Sequence, residues 1–120
     1  MYADKKSCTL TADSEFVDLA VEVFTLLADA TRVKIILALR DDELSVNHLA
    51  DIVDKSPTSV SQHLARLRMS RMVTTRHEGT KVFYRLTDEH ARRLVVDAIE
   101  QAEHTIGRPH HHTADSADRL

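Results

Sequence analysis

Hydrogen-bonding side chains cluster in one segment near the middle of the chain. Ser56-Pro57 is an N-cap followed by proline at the first helical position, and it predicts a helix running to about Ser70. Val60, Leu64 and Leu67 fall on one side of this helix, while polar groups occupy an arc of about 140° on the other side. Hydroxyl, amide, imidazole and guanidinium groups hydrogen-bond base edges and phosphates in a major groove. The candidate DNA-contacting residues here are Ser56, Thr58, Ser59, Ser61, Gln62, His63 and Arg66.

The charge distribution supports a nucleic-acid partner. The whole chain has a net charge of −3, but residues 55–85 contain seven Lys or Arg and one acid, a balance of +6. The remaining residues contain nine basic and eighteen acidic side chains, a balance of −9. No carboxylate occurs from Lys55 to His77, whereas an ordinary solvated helix face usually carries Glu among its charges. A local basic face on an acidic protein favours double-stranded DNA as the partner.

Composition excludes several other classes. Two Gly exclude a glycine-rich phosphate loop, and one Cys, Cys8, excludes an internal disulfide or a multi-thiolate zinc site within the chain. The chain contains no H-E-x-x-H motif and no nucleophile beside a credible base, so we expect neither an enzyme nor a small-molecule substrate. The apolar stretches are far shorter than the roughly 20 residues of a membrane span, and no leader is visible. We therefore expect a cytoplasmic protein without a membrane partner.

The element pattern is mainly helical with one hairpin. Residues 1–13 lack periodicity and are predicted to be a flexible arm, and apolar residues recur at helical spacing from Phe16 onward. Asp29 and Ser45 are predicted N-caps of two short helices that precede the helix at Ser56. Thr87 is the predicted cap of a long last helix, which ends before Gly107 and Pro109.

Between these helices, apolar and polar residues alternate on either side of Glu78-Gly79-Thr80, which predicts a β-hairpin. Short helices followed by a hairpin make a winged helix-turn-helix. The hairpin tip adds phosphate or minor-groove contacts. Its candidate residues are Arg76, His77, Thr80 and Lys81.

Several of these segments resemble the ArsR/SmtB family of metal-responsive repressors over roughly residues 15–105. They are LADATRVKIILAL, ELSVNHLADIV, SPTSVSQHLARLRMSRMVTTRHEGTKVFYRL and DEHARRLVVDAIEQAEH. The resemblance implies a homodimer through the first and last helices, operator binding by the metal-free form, and release when metal binds. The His-rich ending is most similar to the nickel and cobalt sensors of actinobacteria.

This resemblance defines three regions. We expect the arm at 1–13, a winged-helix domain at 14–106 with its dimerisation helix at about 88–106, and a His-rich tail at 107–120.

One of the family's metal sites is lost here. Its thiolate sensors carry E-L-C-V-C-D-L on the third helix, where this chain has Ser45 and Asn47 at the two cysteine positions. Sensing of soft metals through that site is therefore not expected. Cys8 remains open as a lone ligand or redox group.

The resemblance points instead to a site on the last helix with the pattern D-x-H-x(10)-H-x-x-E/H. This chain supplies Asp88, His90 and His104, but Gln101 replaces a histidine. His90 and His104 lie fourteen positions apart, about 21 Å along a helix, so they cannot share an ion within one chain. In an antiparallel pair of these helices, His90 of one chain would face His104 of the other. Asp97 would approach its mate near the two-fold axis, as a ligand-orienting group or a repulsive pair.

Further donors lie near the end of the last helix. Glu103 is about 100° around the helix from His104, yet it still ligates if the helix end frays or bends, and we count it among the donors. His110, His111 and His112 lie close enough to fold back. The alternative for the tail is non-specific metal capture. Five or six nitrogen and oxygen donors without sulfur rank nickel or cobalt above zinc as the inducer.

The sequence therefore predicts a metal-sensing transcriptional repressor that releases its operator on binding nickel or cobalt, plausibly to control metal efflux. Two alternatives stay open. One is a winged-helix repressor of the same family that responds to a non-metal signal or to none. The other is a metal-binding protein without a DNA function, which would leave the basic segment at 55–85 unexplained.

Overall fold

The computed structural model of the chain describes residues 10–107. Five helices and three strands occur in this range. In chain order they are α1 (Val17–Leu27), α2 (Ala30–Ala38), β1 (Leu44–Ser45), α3 (Val46–Val53), α4 (Pro57–Met69), β2 (Val73–Glu78), β3 (Lys81–Leu86) and α5 (Glu89–Thr105). Residues 10–13 of the predicted arm are described and form turns, and the N–H of Ser14 donates to the carbonyl of Thr11 at 3.0 Å.

Polar side chains start α2, α3 and α4, three of the four helices that precede the hairpin, as predicted. The Asp29 carboxylate accepts from the N–H of Arg32 at 3.0 Å, and this bond is the main reason that the pKa of Asp29 lies below its usual value. The Ser45 and Ser56 hydroxyls accept from backbone N–H groups three residues later, at 3.2 Å and 3.1 Å. Each bond satisfies an N–H group that has no partner inside its helix.

The predicted cap of the last helix is wrong by one residue. Asp88, not Thr87, is the N-cap of α5, and its carboxylate accepts from the N–H of His90 at 2.9 Å. Thr87 instead donates its own N–H to the carbonyl of Met72 at 3.0 Å, which ties it to the start of β2. The backbone of Asp88 is therefore the one positioned to begin the helix.

The hairpin is confirmed, and the sheet has one more strand than expected. β2 and β3 pair from Val73 opposite Leu86 to Glu78 opposite Lys81, which leaves a two-residue turn with Gly79 at φ 63°. A Cβ at Gly79 would meet nothing within 4 Å. Glycine is therefore favoured here because of its positive φ and not because a side chain would clash. The added strand β1 pairs with β3 and places β3 in the centre of the sheet.

The core is built from α2–α5 and the first residues of the sheet. Its fully buried members come from three helices and one strand: Ile35, Ile36, Leu49, Val60, Leu64, Leu67 and Val73. Ala91 and Val95 add α5 to this cluster. Helix α1 has no buried residue, although its sequence is strongly apolar. Within residues 10–107, no helix has the length and hydropathy needed to cross a bilayer.

Candidate DNA interface and candidate metal-binding residues

Helix α4 is anchored by its apolar side and presents its polar side. Val60, Leu64 and Leu67 have no exposed surface, so the rotation of the helix about its axis is fixed by packing. The predicted contact residues lie on the remaining surface. Ser56, Thr58, Ser61, Gln62 and Arg66 are exposed, and Ser59 and His63 are half-buried. The hydroxyl of Ser56 is already used as the helix cap.

The turn between α3 and α4 determines the orientation of α4. Asp54 adopts the left-handed conformation at φ 56°, which a short polar side chain tolerates, and it ends α3. The N–H of Lys55 then donates to the carbonyl of Ala50 at 3.2 Å, and Ser56 starts α4. A helix, a three-residue turn and a second helix with an exposed polar face form a helix-turn-helix.

On the hairpin, Arg76 is engaged within the chain. Its guanidinium lies 2.7 Å from one carboxylate oxygen of Glu43, its Nε donates to the same group at 2.9 Å, and it stacks 5.0 Å from the ring centre of Phe83. The hydrogen bond from Arg76 is the main cause that holds the pKa of Glu43 below its usual value. Arg76 therefore fastens the hairpin to the segment before β1, in addition to its predicted role at DNA.

Sequence analysis did not identify Glu43. It lies 33 positions from Arg76, outside every helix and strand, and no local pattern indicates the pairing. The other predicted hairpin residues, His77, Thr80 and Lys81, are exposed near the turn. The side chains of Lys81 and Arg66 make no ion pair with any residue between 10 and 107, so their charges are available to phosphate.

The candidate metal ligands of α5 are separated by the whole length of the helix. α5 runs without a break from Glu89 to Thr105, so His90 and His104 project near opposite ends, and both are exposed. Among residues 10–107 of the single chain, no three His, Cys, Asp or Glu side chains converge as a metal cluster. Asp97 is exposed midway along the helix.

His90 has neighbours on both sides. Asp88 accepts from its backbone N–H, and the guanidinium of Arg93 lies 3.4 Å from its Nδ1. Since arginine has only donors, Nδ1 accepts in this arrangement.

Glu103 occupies a different surface from His104. It is 7 % exposed and lines a cavity of about 510 Å³ with Leu37, Arg40 and Arg92, between α2 and α5. The helix end neither frays nor bends at this position, because α5 continues to Thr105. Ligation by Glu103 stays a prediction, and it requires a change at the end of α5 from the continuous helix described here.

Some candidates lie outside the described residues. His110, His111, His112, Pro109 and Cys8 all fall outside residues 10–107. Gly107 is described and has φ 70°, the conformation expected where a helix stops at glycine.

An apolar groove runs between α1, α2 and α5. It encloses about 290 Å³ and is lined by Phe24, Leu27, Ala28, Val33, Leu94, Val95, Ala98, Ile99 and Ala102. The apolar stripe of α5 (Leu94, Val95, Ala98, Ile99 and Ala102) is thus only partly covered by its own chain. Phe24 is 59 % exposed beside it, and Leu19 and Val21 of α1 are each 54 % exposed.

The helix-turn-helix, the three-stranded sheet and the basic surface define a winged helix-turn-helix DNA-binding regulator. The sequence profile of the bacterial regulatory protein, arsR family, matches residues 29–75. The chain is 56 % identical to the HTH-type transcriptional regulator KmtR of Mycobacterium tuberculosis over 95 % of this chain and 87 % of that protein. The chain belongs to the ArsR family and is a transcriptional regulator, not an enzyme.

More distant relatives support the same family assignment. The HTH-type transcriptional repressor SmtB of Mycobacterium tuberculosis is 38 % identical over 73 % of this chain, and the alignment spans 65 % of that repressor. A cadmium resistance transcriptional regulatory protein CadC homolog of Staphylococcus aureus is 41 % identical over 65 % of each protein. The resemblance stated from the motifs is thus confirmed.

Solved structures share the fold. The homodimeric winged helix-turn-helix domain Mb0332 of Mycobacterium bovis superposes with a TM-score of 0.65 at 29 % identity, over 79 % of this chain and 95 % of that one. NolR of Sinorhizobium fredii superposes with a TM-score of 0.67 at 26 % identity, over 73 % and 87 % of the two chains. The predicted fold class is confirmed.

The free charge on the hairpin gives a first prediction. Replacing Lys81 by alanine should weaken binding to operator and to unrelated duplexes by similar factors. It should also lower the slope of log affinity against log salt by about 1 per subunit, because one phosphate contact is lost. Fluorescence anisotropy over a salt series measures both quantities.

Lys34→Ala is the matched control, since Lys34 is also exposed but lies on α2 outside the basic segment. An unchanged salt slope for Lys81→Ala would remove the hairpin tip from the DNA interface.

Proposed function

We propose that this regulator is a homodimeric, metal-responsive repressor that leaves its operator on binding nickel or cobalt. The observation that carries the proposal is the combination on α5 of an exposed histidine near each end with an apolar stripe that its own chain does not cover. A second copy that covers the stripe would also bring the two histidines together.

The second subunit is the proposed occupant of the groove. α1 has no fully buried residue, and its exposed apolar side chains continue into the stripe of α5 through Phe24. A chain of 120 residues gains a large part of its core by covering such a surface. The related domain from Mycobacterium bovis is described as homodimeric, which supports the same assembly here.

Dimerisation gives the DNA contacts their spacing. The two-fold axis of a dimer places two copies of α4 side by side, and each enters one of two successive major grooves of a near-palindromic site. The proposed contacts from α4 are the exposed polar residues Thr58, Ser61, Gln62 and Arg66, with Ser59 and His63 beside them. The hairpin adds Arg76, His77, Thr80 and Lys81.

The donor set suits a borderline divalent ion. The proposed ligands are His90 of one subunit and His104 of the other, together with Asp88 and imidazoles of the tail (His110, His111, His112). Nickel, cobalt and zinc all accept imidazole and carboxylate, and a set of more than four donors favours nickel or cobalt. Glu103 stays in this set as a conditional ligand, because it is buried in the single chain and would bind only after a change at the end of α5.

When bound, the ion would link the two subunits through the ends of α5. Packing within each chain would transmit this link to the DNA-binding surface, because α5 packs on α2, and α2 packs on both helices of the helix-turn-helix. A change in the pairing of the α5 helices would therefore alter the separation of the two α4 helices. Such coupling typically changes affinity by about 5- to 150-fold, and it acts equally on metal binding. Genes for metal efflux are the proposed targets.

The dimer makes a second prediction. Phe24→Glu should weaken self-association at least about 100-fold, because each subunit loses an apolar contact worth about 1.5 kcal/mol or more. Sedimentation equilibrium measures the change. The subunit should keep its helical circular dichroism, since Phe24 is 59 % exposed within the chain.

Ile52→Glu is the control, because Ile52 is 51 % exposed on α3, away from the groove. Equal association constants for the two variants would contradict the proposed interface.

The metal response makes a third prediction. In anisotropy titrations on DNA from upstream of its own gene, the metal-free dimer should bind tightly, and nickel or cobalt should release it more effectively than zinc. His90→Ala combined with His104→Ala should keep metal-free DNA binding and lose the release.

His48→Ala serves as the matched control, since His48 is an exposed histidine on α3. Release that survives in the double variant would overturn the proposed site. A wild-type protein that binds the DNA but responds to none of these metals would point to a family member with a different signal.

A further inference from the structure

Arg32 occupies a junction between three helices. It is the third residue of α2, and it is half-buried. Its Nε donates to the carbonyl of Leu26 near the end of α1 at 2.6 Å, and its Nη1 lies 3.1 Å from Nδ1 of His63 on α4. Its backbone N–H is held by the Asp29 carboxylate at 3.0 Å. The guanidinium is thus held at two points and the backbone at a third, and one partner of the guanidinium, His63, belongs to the proposed DNA interface.

The contact with His63 determines the hydrogen-bonding role of that ring. Arginine offers five donors and no acceptor, and it stays charged, so Nδ1 of His63 must accept. A neutral imidazole that accepts at one nitrogen carries its proton on the other, which leaves Nε2–H at the distal end of the side chain as a donor. Nδ1 is at the same time no longer available to DNA.

We propose that Arg32 is a positioning residue for DNA recognition, which holds the His63 ring in one orientation so that it meets DNA as a donor through Nε2–H. The proposal rests on α4 being the DNA-reading helix. A fixed donor pairs with the acceptor groups of a base edge, such as N7 and O6 of guanine or O4 of thymine. Arg32 would then contribute to sequence discrimination without touching DNA.

The same residue connects recognition to the proposed subunit contact. Leu26, whose carbonyl accepts from Arg32, lies near the end of α1, a helix with no fully buried residue that packs on the core only through partly buried side chains such as Leu26 and Leu27. A shift of α1 relative to α2 would therefore act on the residue that orients His63.

A double-mutant cycle tests the proposal. Arg32→Lys keeps the charge but loses the planar group that bonds Leu26 and His63 at the same time. His63→Gln replaces the ring by an amide that no longer presents Nδ1. We expect Arg32→Lys to reduce affinity for the upstream duplex about 5- to 30-fold, and to reduce affinity for a scrambled duplex of equal composition much less. In the His63→Gln background, Arg32→Lys should have little further effect.

Arg40→Lys is the matched control, because Arg40, just after the end of α2, also donates to a backbone carbonyl, that of Leu37, but makes no hydrogen bond to α4 among the described residues. A spectroscopic measurement separates positioning from loss of fold. In long-range ¹H–¹⁵N spectra, Nδ1 of His63 should have the shift of an unprotonated nitrogen in the wild type, and this signal should move towards the averaged value in Arg32→Lys but not in Arg40→Lys.

Two results would overturn the proposal. One is additive losses for Arg32→Lys and His63→Gln, which would mean that Arg32 acts on DNA binding independently of His63. The other is an unchanged His63 signal in Arg32→Lys. A wild-type protein with the expected His63 signal but no preference for the upstream duplex would instead count against the DNA-reading role of α4.

Discussion

The unbroken length of α5 constrains both the proposed metal site and the proposed dimer. Seventeen residues from Glu89 to Thr105 form one helix, so its two exposed histidines are held about 21 Å apart by backbone hydrogen bonds. No rearrangement of side chains brings them together within a chain. A second α5 running in the opposite direction is the arrangement that we propose to bring both into one site. A metal response built on these residues is therefore also a response of the dimer.

The distribution of apolar residues fits this requirement. The core of α2–α5 is complete around Ile35, Leu49 and Leu64, yet most of α1 and part of the apolar stripe of α5 stay exposed. The chain thus separates two kinds of apolar surface, one that folds the winged helix and one suited to a partner. Because α2 contacts α1, α5 and both helices of the helix-turn-helix, it lies between the proposed subunit contact and the DNA-reading surface.

Features that depend on neighbouring residues could be predicted from the sequence, whereas features that depend on long-range pairing could not. Asp29, Ser45 and Ser56 were predictable as caps because each acts on an N–H group three residues away. The hairpin followed from Gly79. The strand β1 has two residues, too few to show periodicity, and its pairing with β3 depends on tertiary structure. The choice of Asp88 over Thr87 depends on backbone angles that the sequence does not contain.

The same division holds for the candidate sites. The exposed face of α4 and the separation of His90 from His104 follow from helical geometry. The pairing of Arg76 with Glu43 and the burial of Glu103 in the cavity that Arg40 and Arg92 also line depend on which elements meet.

Mixed dimers give the most direct test of the proposal that the metal site bridges the two subunits. A His90→Ala chain and a His104→Ala chain, co-expressed with different tags and purified as the mixed dimer, retain one intact pair of histidines only if each site bridges the subunits. We predict that nickel or cobalt releases this mixed dimer from DNA, with one ion bound per dimer, while neither variant homodimer responds. A mixed dimer that responds no better than the two homodimers would contradict the account.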